Sequence, residues 1–430
     1  MKQESITKST LLGTALLTAA MTLPALDFAS AESAPEKTMV SFKYLNYSES
    51  QTIPGTRGTS GTTTTTTTTT GRTGESERGV TYDLISGASA ATTTTTTSGT
   101  AGTAGSSADR IKVSAYTVST LVPVAGKWSV GLNYTYDTVS GASPQYHTSA
   151  LTNMHDKRNA GDIAVTRYFP QGTLTVGTSY SSETDYISRG YSIIGSRSTA
   201  DKNTTWSLGA SLTDDSIMPQ GVGIANQTKK ITAGLIGLTK ILTPNDITQF
   251  NLGYSHGTGY YSDPYKVYDN RPDSRNITTF MTRWNHHFDG GDGTARLSYR
   301  FYTDSFGIRA HTLDTEYVQP IANGWTVGPL LRFYTQNEAD FYIATTSSTE
   351  TSAPLVPAGQ RYSTEDQRLS AFGALTFGVK VTKKLSDDVH FDVKYENYRQ
   401  RSNWALSGKK DLGLAYFNAQ SIQVGLTCLF

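Results

Sequence analysis

One cysteine in 430 residues, Cys428, leaves no room for a disulfide framework or a thiolate zinc site. Charge is sparse as well. Only 17% of residues are charged, 37 basic against 36 acidic, and the net +1 gives no electrostatic reason to expect nucleic acid or an acidic partner. Apolar residues make up just 37% of the chain. Beyond the N-terminus no run of about 18 apolar residues exists from which a membrane-spanning helix would be built. What is abundant is uncharged: 39 Gly, 25 Tyr, 15 Phe and a large excess of Thr and Ser.

The N-terminus has the layout of an export signal. Lys2 and Lys8 precede an apolar stretch from Leu11 to Leu23, and Ala29-Ser30-Ala31 supplies the small residues of a cleavage site. Residues 1–31 are therefore expected to be removed, leaving 32–430. Loss of Lys2, Lys8, Glu4 and Asp27 leaves the charge balance unchanged.

The remainder alternates with period two. Trp206, Leu208, Ala210 and Leu212 interleave with Thr205, Ser207, Gly209 and Ser211. Phe250, Leu252 and Tyr254, then Leu297, Tyr299 and Phe301, repeat the pattern. Each stretch is about as long as the ~10-residue strand that crosses a bilayer at a tilt. One face carries aromatics and aliphatics, the other Arg, Lys, Asp, Glu and Gly. A soluble sandwich would place its aliphatics inward on shorter strands. Lipid outside and water inside fits better.

Turn chemistry counts the strands. Tight turns are expected at Pro123–Gly126, Pro170–Gly172, Ala200–Asn203, Pro244–Asp246, Gly290–Gly293, Pro320–Gly324 and Ser386–Asp388. Longer polar connections alternate with them at 49–108, 140–160, 181–187, 215–228, 257–274, 304–308, 339–366 and 402–414. The fold class that follows is all-β: a transmembrane antiparallel barrel of about sixteen strands, with short periplasmic turns and long external loops. An even count places both termini on the periplasmic side. The loop 49–108 holds Thr62–Thr70 and Thr92–Thr97 among Gly, Ser and Ala. It has too little apolar surface to offset its ordering entropy and is expected to be disordered. A tolerated repeat expansion is preferred there over an adhesive tether. At the other end, Ile422, Val424, Leu426, Cys428 and Phe430 share one face, so the terminal strand ends on an aromatic.

From about Lys37 to Phe430, the Thr-rich loop excepted, the chain resembles DUF3570, a family of bacterial outer-membrane proteins of unknown function. The carrying strings are Val139–Ser143, Leu242–Asp246, Tyr261–Lys266 with Asp269–Pro272, Arg283–Phe288 and Asp304–Thr312. The resemblance implies an outer-membrane barrel of a Gram-negative bacterium; separately, a final strand ending on Phe430 resembles the signal read by the barrel-assembly machinery. It also implies companionship with periplasmic redox and flavin-transfer genes.

No catalytic constellation stands out, and neither a cofactor nor a metal is expected. His286 and His287 are adjacent on a strand and point to opposite faces. His147 and His155, with Asp156, sit in what reads as a solvated loop rather than a metal site. The informative chemistry lies on the lumen parity. Arg296 and Arg300 are followed on the next strand by Asp314 and Glu316, then Arg332. Arg368 and Lys380 are expected on the fourteenth strand, and Asp392, Lys394 and Glu396 on the fifteenth. This lattice either braces the wall or sets a transverse field that filters solutes. Within 257–274, Tyr261, Asp263, Tyr265, Asp269, Arg271 and Asp273 read as a constriction loop, an external lid or a Ca²⁺ site; spacing does not decide. The function expected is a conduit for small polar solutes or ions without covalent catalysis. Two alternatives are kept: a non-conducting barrel sheathing a periplasmic redox or flavin-linked partner, and, behind it, an outer-membrane enzyme.

Overall fold

The computed structural model describes residues 33–52, 107–144, 151–266, 269–344 and 359–430. The expected export signal, nearly all of the Thr-rich loop, His147 and Tyr268 lie outside the described residues. Sixteen strands are present. The first eight are β1 (Met39–Thr52), β2 (Ser107–Val124), β3 (Trp128–Pro144), β4 (Leu151–Phe169), β5 (Gly172–Ser182), β6 (Tyr186–Ser198), β7 (Thr204–Ile217) and β8 (Gln227–Thr243). The second eight are β9 (Asp246–Gly259), β10 (Ser274–Phe288), β11 (Gly293–Asp304), β12 (Arg309–Pro320), β13 (Trp325–Gln336), β14 (Phe372–Lys384), β15 (Val389–Arg401) and β16 (Tyr416–Leu429). Each pairs antiparallel with its sequence neighbours, and β1 pairs with β16 from Met39↔Leu429 to Thr52↔Tyr416. Closure leaves no unpaired strand edge, which a sheet in hydrocarbon requires.

Alternation along each strand sorts residues to the two sides of this wall. The outer side shows Phe42, Tyr116, Ile163, Leu208, Leu252, Leu331 and Phe377, with Leu208 66% exposed. So many bare apolar side chains around a closed barrel need a lipid environment. Trp128, Trp206, Trp284 and Trp325 stand near strand ends beside short turns, where an aromatic belt meets the membrane surface. All seven expected tight turns fall between consecutive strands. Four of them use a non-glycine residue in the left-handed region: Ala125, Lys202, Asp292 and Asn323.

Several connections are shorter than expected. β3 and β4 run on to Pro144 and Leu151, reducing the anticipated 140–160 loop to 145–150, and the β5–β6 link is only 183–185. The extra strand residues are largely small or polar, as in Ser140-Gly141-Ala142-Ser143, so period-two hydrophobicity fades. At the seam, the Phe430 amide donates to the Thr38 carbonyl (2.8 Å) and the Thr38 amide to that of Phe430 (3.1 Å). The Phe430 side chain is left exposed.

Candidate functional site

Cross-strand register sets the lumen charges. Arg296 on β11 stands opposite Glu316 on β12, and Asp314 on β12 opposite Arg332 on β13. The first pair closes at 3.2 Å with side chains 45% and 28% exposed. The second, Arg332 Nε to Asp314 Oδ1, has 45% and 33% exposed. Lys380 on β14 comes within 3.8 Å of Asp392 on β15, and Lys394 within 3.0 Å of Glu396 two residues along the same face. Arg300 faces Thr312 rather than a carboxylate and reaches its hydroxyl at 3.5 Å. Arg332 faces Thr376 across the β13–β14 boundary, so the ladder breaks there.

Arg368 is not part of the fourteenth strand. It sits in a 3₁₀ turn, Gln367–Leu369, ahead of β14, capped by Asp366, whose side chain accepts from the Arg368 amide. The expectation that Arg368 lies on the fourteenth strand is corrected: that strand begins only at Phe372. Of the histidines, His286 reaches Asp246 at 2.8 Å on the outer side, and His287 faces the lumen beside Thr294. His155 is exposed and Asp156, its neighbour, is buried, since adjacent strand residues face opposite ways.

The rim opposite the tight turns is built from connections that fold inward. In the β9–β10 loop (260–273), Tyr261 lies over the lumen face of β9. A Cβ on Gly257 would fall 1.9 Å from its hydroxyl, so only glycine admits it there. Its ring meets Phe306 edge-on at 5.9 Å, and the Lys229 ammonium stands 5.6 Å from its centroid. Phe306, Ile308, Ala339, Phe341 and Leu369 form a small apolar core among these loops. The β9–β10 and β13–β14 loops pair directly, Asn270 and Ser363 exchanging amide bonds of 2.8 and 2.9 Å.

Buried charge fastens the same two loops. Arg271 bonds Asp269 within its own loop and Asp366 in the other, both at 2.8 Å, with side chains 10%, 0% and 1% exposed. Burial alone would push the Asp366 carboxyl up, but Arg368, Lys266 and Arg271 hold it well below the usual carboxylate range. Asp263 lies 3.6 Å from Arg368. Burial pushes its carboxyl up against the pull of Lys266 and Arg368. From there the links extend to both walls. Tyr265 donates to Asp185 in the β5–β6 link. The Gln367 amide, turned to place its oxygen on Arg110, accepts at 2.8 and 2.9 Å from β2. The expected constriction residues Tyr261, Asp263, Tyr265, Asp269 and Arg271 are thus brought together; Asp273 is exposed and lies apart.

A second acidic group stands on the wall under Tyr265. Asp156, Glu183 and Asp185 bring carboxylate oxygens within 4.8 Å of one another. Asp137 is nearby, bound by Arg158 at 2.7 Å. Burial pushes the Glu183 carboxyl up to about 8, and Asp156, Asp185 and Asp137 add to the rise against Arg158. Sequence reading singled out Asp156 only beside His155. Glu183 and Asp185 join it through the β4–β5 register that the Pro170–Gly172 turn sets.

A family model described as "Protein of unknown function (DUF3570)" matches residues 13–226 and 220–421. No curated protein matches the chain. Among solved structures, a bacterial polysaccharide outer membrane secretin is similar at 8% identity and TM-score 0.44, covering 90% of this chain and 98% of that one. OpdQ of Pseudomonas aeruginosa is similar at 9% identity and TM-score 0.39, covering 91% and 98%. OccK2 (OpdF) of the same organism, in complex with glucuronate, is similar at 10% identity and TM-score 0.40, covering 94% and 99%. At such values the likeness is one of barrel architecture alone.

Proposed function

Since the chain belongs to the DUF3570 family, whose description assigns no activity, we propose a function from the lumen itself: an outer-membrane conduit for small polar solutes or ions, narrowed at one mouth by inward loops. The observation that carries this reading is the exposure of the lumen ion pairs. Arg296, Glu316, Asp314 and Arg332 keep between 28% and 45% of their side chains accessible inside a closed barrel. Charges desolvated as braces would be buried; these face water. Sixteen strands enclose an aqueous channel unless something fills it. The described residues of loops 260–273 and 359–371 fold over one mouth and make no ion pair with Arg296, Glu316, Asp314 or Arg332. A partner threaded through the lumen would have to displace them, which sets the sheath reading behind the conduit.

The location belongs to the same proposal. An apolar outer belt and a closed edge suit a Gram-negative outer membrane. Swelling of proteoliposomes in neutral sugars of graded size tests the conduit. Influx is expected for monosaccharides and is expected to fall steeply for larger oligosaccharides. Swelling no faster than that of empty liposomes, with folded barrel present, would refute it.

A further inference from the structure

Several buried carboxylates in the mouth are held by an arginine. Asp269 and Asp366 have Arg271, and Asp304 has Arg275. The group on the β4–β6 wall gathers three carboxylates. Asp156 projects from β4, and Glu183 and Asp185 flank Thr184 in the β5–β6 link. One oxygen from each lies within 4.8 Å of the other two, and all three groups are buried. Their neighbouring cation, Arg158, is already engaged by Asp137 at 2.7 Å. A separate observation points into the same space: Glu183 Oε1 is sealed from solvent and has no hydrogen-bond partner. A buried acceptor without a donor is costly, and one in a ring of anions more so.

We propose that Asp156, Glu183 and Asp185 bind one hard divalent cation, Ca²⁺. Donors that are all carboxylate oxygen suit a hard ion and not a thiolate- or imidazole-seeking metal. Ca²⁺ holds oxygens at about 2.3–2.6 Å, so ligands on opposite sides of it stand about 4.6–5.2 Å apart, and the observed spread fits inside that shell. Mg²⁺ needs a tighter, near-ideal octahedron and gives up water reluctantly. The Thr184 hydroxyl bonds Asp156 Oδ1 at 2.7 Å and fixes one ligand's orientation. Asp185 also accepts from Tyr265. The cation therefore anchors the point where the β9–β10 loop meets the wall, and the proposal stands whether or not the lumen conducts.

The test uses full-length, detergent-folded barrel stripped with chelator. Tb³⁺, excited through the adjacent Tyr265 and Tyr186, reports occupancy, and Ca²⁺ or Mg²⁺ competes it off; calorimetry with CaCl₂ gives the stoichiometry. One Ca²⁺ per chain is expected, with Mg²⁺ at least tenfold weaker. Glu183→Gln and Asp185→Asn are each expected to weaken Ca²⁺ at least tenfold while the heat-modifiable migration of the folded barrel is retained. Absence of saturable Ca²⁺ uptake by the wild-type barrel, or wild-type affinity in both variants, would overturn the site. Equal affinity for Mg²⁺ would overturn its assignment to Ca²⁺. Should a variant fail to fold, wild-type uptake and selectivity decide.

Discussion

Arg271→Ala is expected to open the mouth without unfolding the barrel. The substitution strands the Asp269 side chain, 0% exposed, and leaves Asp366 to Arg368 alone among its bonded arginines. Removing one partner of such a buried pair costs about 3–5 kcal/mol, because a desolvated charge is left behind. An exposed pair such as Arg296–Glu316 contributes about 0–1 kcal/mol. The penalty exceeds what a small loop cluster holds in reserve but falls on a locally cooperative unit, not on sixteen hydrogen-bonded strands. Single-channel conductance is expected to rise several-fold and become noisier, with thermal unfolding of the barrel nearly unchanged. Arg271→Lys keeps the charge but loses the two-pronged fork, so an intermediate conductance is expected. If Arg271→Ala conducts as wild type does, the loops do not limit the passage.

The double substitution Arg296→Glu/Arg300→Glu bears on selectivity. It sets four acidic side chains, with Asp314 and Glu316, on one patch of β11 and β12 and shifts the local charge by about four units. Like-charge contacts across strands cost up to about 1 kcal/mol each, which a closed barrel tolerates. Arg296 leaves an exposed pair and Arg300 only a 3.5 Å contact with Thr312, so neither loss is structural. The cation/anion permeability ratio is expected to rise strongly at low salt. It should relax toward the wild-type value near 1 M, where the Debye length is about 3 Å. An unchanged ratio at low salt in a folded mutant would place these arginines off any conducting path.

The barrel is legible in the sequence because the membrane imposes one rule on every strand: apolar out, polar in, reversed at a short turn. Where that rule stops, reading stops. β3 and β4 extend through Ser140–Pro144 and Leu151–Ala160, where small and polar residues give the alternation no hydrophobic signal. Arg368 shows the opposite error, a parity extended past the true start of β14 at Phe372. Arg296, Glu316, Asp314 and Arg332 fall on the expected face since parity alone places them. Arg271 and Asp366, 95 positions apart, meet only because two loops turn inward. Asp156 meets Glu183 and Asp185 only through the pairing of Asn159 with Ser182. That pairing follows from the Pro170–Gly172 turn, whereas no local pattern encodes the meeting of Arg271 with Asp366.

Single-channel recording from the purified barrel in a planar bilayer tests the conduit most directly. Discrete opening steps that scale with salt concentration are expected. Persistent silence from protein shown to be inserted and folded would contradict a conducting lumen.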